Sequence, residues 1–291
     1  MSMRKKKMDV FDVLNYVVLT LLIIIIVYPF LYVVVNSFNA LSSHRPSYFW
    51  PEQPTLMTYQ TVFKDESLLH SFWVSVCRTV IGTAFTVTVT ALCSYAMSKN
   101  YLKFRPLYVV LFTIPSFFNG GMVPVYLNIR NLGLLDTFWV YILPAGFSFF
   151  YMVLMISAFR AIPESLEEAA FIDGAGFFSV FIKIILPVSV PTLATVALYA
   201  AVGQWNAWYD TMVYTNKSSL QTLSSVLMRI VRENNLGEMT SELTSDMENR
   251  SYNPEGVKMA TMVVSVLPII FIYPFLQRYF VKGIMVGSIK G

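Results

Sequence analysis

Arg160-Ala-Ile-Pro-Glu-Ser-Leu-Glu-Glu-Ala-Ala-Phe-Ile-Asp-Gly-Ala-Gly176 is a polar island in a chain otherwise dominated by long apolar runs. Pro163 suits the first turn of a helix, where its missing N–H is no loss, and Glu164, Glu167 and Glu168 complement the positive end of the helix dipole. Gly174 and Gly176 can take the left-handed conformation that ends a helix. The spacing predicts a helix over about 163–174, roughly three turns long, whereas crossing a bilayer takes about 20 apolar residues. Past the turn, Phe177, Phe178, Val180, Phe181, Ile184 and Ile185 form a second, mostly apolar stretch, and Pro187 opens the next long run. The expected element is a bent hairpin lying along a membrane surface.

Outward from that segment the apolar runs are long enough to cross. The 291-residue chain is 56% hydrophobic and 13% charged, outside the range of soluble globular domains. Six windows of spanning length run approximately Tyr16 to Val35, Ser71 to Met97, Leu107 to Leu127, Thr137 to Phe159, Pro187 to Trp208 and Met259 to Leu276, and apart from Arg78 none carries a formal charge. The first follows Arg4, Lys5, Lys6 and Lys7 as a signal peptide would, but its apolar stretch is too long and no small-residue cleavage site follows, so it reads as a retained helix. The fold class expected is an all-α membrane protein with six transmembrane helices.

Basic residues set the orientation. With a cytoplasmic amino terminus, the inner segments hold the first basic cluster, Lys99, Lys103, Arg105, Arg160, Lys183, Arg278, Lys282 and Lys290, and are net positive while the outer segments are net negative. Both termini are then cytoplasmic. The overall charge of +4 reflects this topology and not a nucleic-acid surface. The expected organisation is residues 1–70 for the amino terminus, first helix and an outer loop, 71–281 for a five-helix core with a long outer loop at about 209–258, and 282–291 for a cytoplasmic tail. Leu223, Val226, Leu227, Ile230 and Val231 space an amphipathic helix within that outer loop. Cys77 and Cys93 lie about 24 Å apart on one helix and cannot bridge each other.

Glu168-Ala169-Ala170, then Asp173-Gly174-Ala175, then Ile185-Leu186-Pro187 and Pro191, resemble the EAA signature of ABC importer permeases. The resemblance implies the type I ABC importer permease fold, with the short segment as the coupling helix that docks in a cleft on an ATP-binding subunit. Glu168, Ala169, Ala170, Asp173, Gly174, Leu186 and Pro187 are the coupling residues it implies. Slim alanines suit entry into a groove, and Glu168 offers a charge to a partner. The carboxyl end, Gln277 to Gly291, resembles the tail of the carbohydrate-uptake branch, as in the second permease of the maltose transporter, and more loosely permeases paired with lipoprotein binding proteins for complex oligosaccharides. That implies contact of Gln277, Lys282, Gly287 and Lys290 with the ATPase; the other reading of the tail is a basic anchor at the interface. The partners implied are a second permease, two copies of an ATPase subunit that hold ATP and Mg, an extracellular substrate-binding lipoprotein and a carbohydrate, in a bacterial cytoplasmic membrane.

No Gly-x-x-x-x-Gly-Lys-Ser/Thr loop occurs, so ATP falls to partners and no cofactor is expected on this chain. The windows hold no Asp or Glu, against a proton- or sodium-coupled carrier, and there is no catalytic constellation and no metal-ligand spacing. A sugar path needs aromatic platforms beside amides, a mixture that Gln204, Trp205, Asn206 and Trp208 supply; the other reading of that cluster is an interfacial aromatic belt. Phe117-Phe118-Asn119-Gly120-Gly121, between Pro115 and Pro124, should break the third span and free backbone groups, making Asn119 a second candidate; the other reading of that break is a packing kink. Arg78 has three readings: contact with an acidic sugar, snorkelling, or pairing with a partner subunit. The rival functions are an importer of another solute such as a peptide, and a membrane sensor of the same fold that does not transport.

Overall fold

The computed structural model describes residues 10–39, 47–118, 120–241 and 254–287. In chain order its helices are α1 (Val10–Ser37), α2 (Met57–Lys64), α3 (Glu66–Ser98), α4 (Arg105–Phe117), α5 (Met122–Asn131), α6 (Phe149–Arg160), α7 (Glu164–Ile172), α8 (Phe177–Val180), α9 (Leu186–Val188), α10 (Val190–Asn206), α11 (Tyr209–Tyr214), α12 (Leu223–Ser241) and α13 (Pro254–Gly287). Among the described residues, three stretches are long and apolar enough to cross a membrane: Val10–Ser37, Glu66–Ser98 and Glu255–Ile272 within α13. Three bent helix pairs raise the number of spans to as many as six. The protein is an all-α, multi-pass membrane protein.

Two compact units share the chain: residues 1–66 with 229–266, and residues 67–228 with 267–291. In the first, α1 is apolar on every side and exposed through its middle turns, the surface that hydrocarbon covers. Its end is tied by a buried polar knot. Asn36 donates to the carbonyls of Tyr32 and Ser47, both at 2.9 Å, and its own carbonyl accepts from the Ser47 amide and from Asn39. Ser37 and Tyr59 share a hydroxyl contact of 2.7 Å that fastens α2 to the same point.

In the second unit, α3 is the axis. Its buried positions include Ser71, Ser75, Arg78, Gly82, Thr86, Thr90, Ser94 and Ser98, steps of three and four that lay one small, polar stripe along the helix. Small residues let neighbouring backbones come close where burial from water gives no drive to associate. One apolar core gathers Ala91 and Tyr95 of α3 with Met155 and Phe159 of α6, Val180, Phe181, Ile185 and Val196. Another gathers Ile129, Val140, Tyr141, Ile142 and Tyr214.

Three of the six sequence windows differ from unbroken spans, each at a proline or glycine. The third breaks between α4 and α5 with a bend of 118°, at the Pro115 to Pro124 segment where the sequence places it. The fourth, Thr137 to Phe159, is helical for one turn at Phe138–Tyr141 and then not until Phe149. Pro144 has no N–H to give, and Gly146 lies so close to the Phe85 ring that an added Cβ would stand 2.3 Å from it. The fifth does not begin at Pro187: Phe177–Val188 runs on through Pro187 by widening to a π-turn at Phe181–Ile185, then bends 82° into α10 at Ser189. Pro191, in the first turn of α10, cannot donate back to Pro187, and that missing bond lets the chain turn.

Candidate functional site

The polar hairpin folds as one short helix with a closed end. Pro163 stands immediately before α7 in extended conformation and accepts from the Leu166 amide at 3.2 Å. At the other end Gly174 takes φ 84°, its amide donates to Phe171 at 3.0 Å, and the Ala175 amide reaches back to Ala170 at 2.9 Å. This pair of bonds is a Schellman closure, which uses up carbonyls that would otherwise face nothing.

α7 has two faces. Glu168, Ala169 and Asp173 are exposed, as are Leu166 and Ile172, the last at 86%. Ala170 and Phe171 turn inward and pack on the core. Ala169 and Ala170, neighbours in the sequence motif, therefore serve different faces. Leu186 packs on the same core, while Pro187 is exposed at the far end of the hairpin.

Glu167 is the residue of this segment that sequence reasoning missed. It is 7% exposed, pairs with Lys99 just beyond α3, and accepts from the Tyr95 hydroxyl at 3.4 Å. The Lys99 ammonium also lies 4.6 Å from the centre of the Tyr95 ring. Arg105 and Arg160 donate to the carbonyls of Met97 and Ser98, so cations satisfy the exposed carbonyl end of α3. The signal was present: Glu167 is three and four residues before the inward pair Ala170 and Phe171. Tyr101, just past α3, has its hydroxyl pKa raised by burial and then by the nearby Glu167 charge.

A second polar cluster forms around Arg78, which lies more than three turns inside α3 and is 1% exposed. Its Nε donates to Gln204 at 2.8 Å, Nη1 to the Ala207 carbonyl at 3.2 Å and to Asp210 at 3.0 Å, and Nη2 to the other Asp210 oxygen. The Tyr141 ring lies under the guanidinium, 4.5 Å from its carbon to the ring centre. The Gln204 amide nitrogen donates to the Tyr141 carbonyl at 3.1 Å, and Gly82 leaves room for it, since an added Cβ would meet the Gln204 amide at 2.7 Å. The sequence windows stop at Trp208, two residues short of Asp210. A lone cation inside a span calls for a carboxylate, and that need was the available clue.

The remaining candidates divide. Trp205 is buried against Phe72, Asn206 is exposed at the end of α10, and Trp208 lies beyond it with its ring 6.1 Å from that of Tyr209. Asn119 and Lys290 lie outside the described residues. Gln277, Lys282 and Gly287 fall on α13, so the expected tail continues the last helix as far as Gly287. Among the described residues no three His, Cys, Asp or Glu side chains group as a metal site.

Comparison with known proteins agrees with this fold. The family described as binding-protein-dependent transport system inner membrane component matches residues 87–286. Protein LplC of Bacillus subtilis is 38% identical over 284 residues, covering 97% of this chain and 95% of its own. The polygalacturonan/rhamnogalacturonan transport system permease protein YtcP of the same organism is 37% identical over 292 residues, covering 98% and 100%. A chain in the crystal structure of a bacterial ABC transporter involved in the import of the acidic polysaccharide alginate matches with a TM-score of 0.84 and 27% identity, over 96% of this chain and all of that one. With its broken spans, its exposed short helix and a family match over most of its length, the chain belongs to the binding-protein-dependent transport system inner membrane components, as a non-enzymatic permease subunit of an ABC importer.

Proposed function

We propose that this permease carries a carbohydrate, an oligosaccharide in particular, across a bacterial cytoplasmic membrane with both termini on the cytoplasmic side. In this reading it forms half of a pore with a second permease, works with two ATPase subunits that hold ATP and Mg, and receives its substrate from an extracellular binding lipoprotein. The observation that carries the coupling role is the exposed face of α7, where Leu166, Glu168, Ala169, Ile172 and Asp173 stand clear of packing among the described residues. An uncovered apolar edge beside two carboxylates suits a groove with basic or polar walls on a partner. The names of YtcP and of the alginate importer support the carbohydrate.

For the substrate path, Asn206 and Trp208 offer an amide and an aromatic face at and just past the end of α10. Gln204, Trp205 and Arg78 are their scaffold, because their polar groups or rings are already engaged within the chain. Affinity purification of the tagged chain from its native membranes, with mass spectrometry of what accompanies it, tests the assembly. The expected result is a second permease and an ATPase subunit, with the ATPase alone lost from Glu168→Ala/Gly174→Val. Recovery of the ATPase in equal amount with that variant would remove α7 from the interface.

A further inference from the structure

We infer that the Lys99 and Glu167 pair is the link through which movement of α7 reaches the spanning helices, with α3 as the lever; this rests on the coupling role proposed for α7. The covalent routes out of α7 lead to α6 and to α8, and neither reaches α3 directly. At its carboxyl end Gly174 has φ 84°, and Ala175 and the Phe171–Phe177 ring contact carry the exit turn toward α8. At its amino end the connection is Ala161-Ile162-Pro163, of which Ile162 is buried in the core.

The non-covalent route leads to α3. Glu167 projects from the middle of α7, opposite the exposed face, into a buried ion pair with Lys99, closed by the Tyr95 hydroxyl and ring. Arg105 of α4 and Arg160 of α6 hold the same end of α3 by its last carbonyls. Three neighbouring elements thus grip one helix end, and the one that faces the partner does so by charge. From Lys99, α3 runs back about 30 Å to Arg78, whose bonds to Gln204, Ala207 and Asp210 fasten it to the outer end of α10 and to α11. A 33-residue helix held by charge at both places carries a displacement along its length. Glu167 and Lys99 are positioning residues in this account, and neither lies on the docking face.

The test uses the whole reconstituted transporter, in proteoliposomes, measuring sugar uptake and ATP hydrolysis side by side. With Glu167→Gln and, separately, Lys99→Gln, the ATPase subunit should still co-purify and hydrolysis should persist, while uptake per ATP falls about tenfold, the scale of a typical coupling energy. The reversed pair Lys99→Glu/Glu167→Lys should recover most of that loss, which a residue needed merely for folding at one site would not do. Uptake and hydrolysis falling in proportion, uptake per ATP unchanged in both single variants, or a reversed pair no better than either single variant would each overturn the inference. Failure of the single variants to accumulate while the reversed pair also fails would assign the pair to folding and overturn it too. The coupling role of α7 itself fails differently, by retention of the ATPase in Glu168→Ala/Gly174→Val.

Discussion

Arg78 is a charge more than three turns inside a spanning helix, and every nitrogen of its guanidinium has a partner within the chain. A planar fork that meets both oxygens of one carboxylate is the strong form of such a pair. Removing one member leaves the other buried and uncompensated, which costs roughly 3 kcal/mol. Asp210→Asn is therefore expected to lower the thermal unfolding midpoint in detergent by several degrees, and Arg78→Met/Asp210→Asn by less than Asp210→Asn alone; equal midpoints for wild type and Asp210→Asn would count against the pair. Asp136, in the loop after α5, makes a separate prediction. It takes φ 55°, and its carboxylate accepts from the amides of Asn216 at 2.5 Å and Lys217 at 3.3 Å. The Asn216 bond first, and then the Lys217 amide and charge, hold its pKa below the ordinary 3.8. A carboxyl lowered by folding stabilises the folded state above its unfolded pKa and loses that contribution as pH falls through the folded value. Below about pH 3.8 wild type should lose stability relative to Asp136→Asn, with a constant difference between them above it, as followed by unfolding midpoints across pH. A difference that stays constant across the acid range would remove the clasp.

At the scale of elements, glycines mark where a helix must turn or be approached. Gly174 at φ 84° ends α7, and a β-branched side chain there pays about 1–2 kcal/mol or abandons the Schellman closure. Gly174→Val is expected to lower ATPase retention in pull-downs well below wild type while membrane levels hold. Gly82→Ala should act in the middle of α3: the new methyl meets the Gln204 amide, which Arg78 and Tyr141 hold from both sides, so its bonds lengthen or break. Its unfolding midpoint should fall toward that of Asp210→Asn, and a midpoint equal to wild type would show that Gln204 moves aside freely. The same scale explains what could be read in the sequence. α1, α3 and α13 were legible because length and apolar content alone distinguish a straight span, and α7 because its caps are written in Pro163 and Gly174. The bends at Ser189 and after Tyr141 were not legible, because a window counts apolar residues and does not register that Pro191 and Pro144 remove a backbone donor. Glu167 and Asp210 were hidden for a related reason: a partner on another helix decides which carboxylate is buried, and spacing within one helix does not name that partner.

For the whole molecule, the described parts form a chain of physical links that matches a subunit and not a self-contained pump. α7 offers a face that none of the described residues covers, Lys99 and Arg78 tie that element along α3 to the end of α10, and Asn206 and Trp208 stand at and just past that end. The chain belongs to the binding-protein-dependent family, and the function proposed above gives each of these a place in an ATP-driven importer. The most direct test is uptake of a labelled oligosaccharide into proteoliposomes that hold this chain alone, or this chain with its second permease, ATPase and loaded binding protein. The account predicts accumulation in the complete set alone, dependent on ATP inside the cytoplasmic compartment. Robust uptake by the chain alone, without ATP, would contradict it.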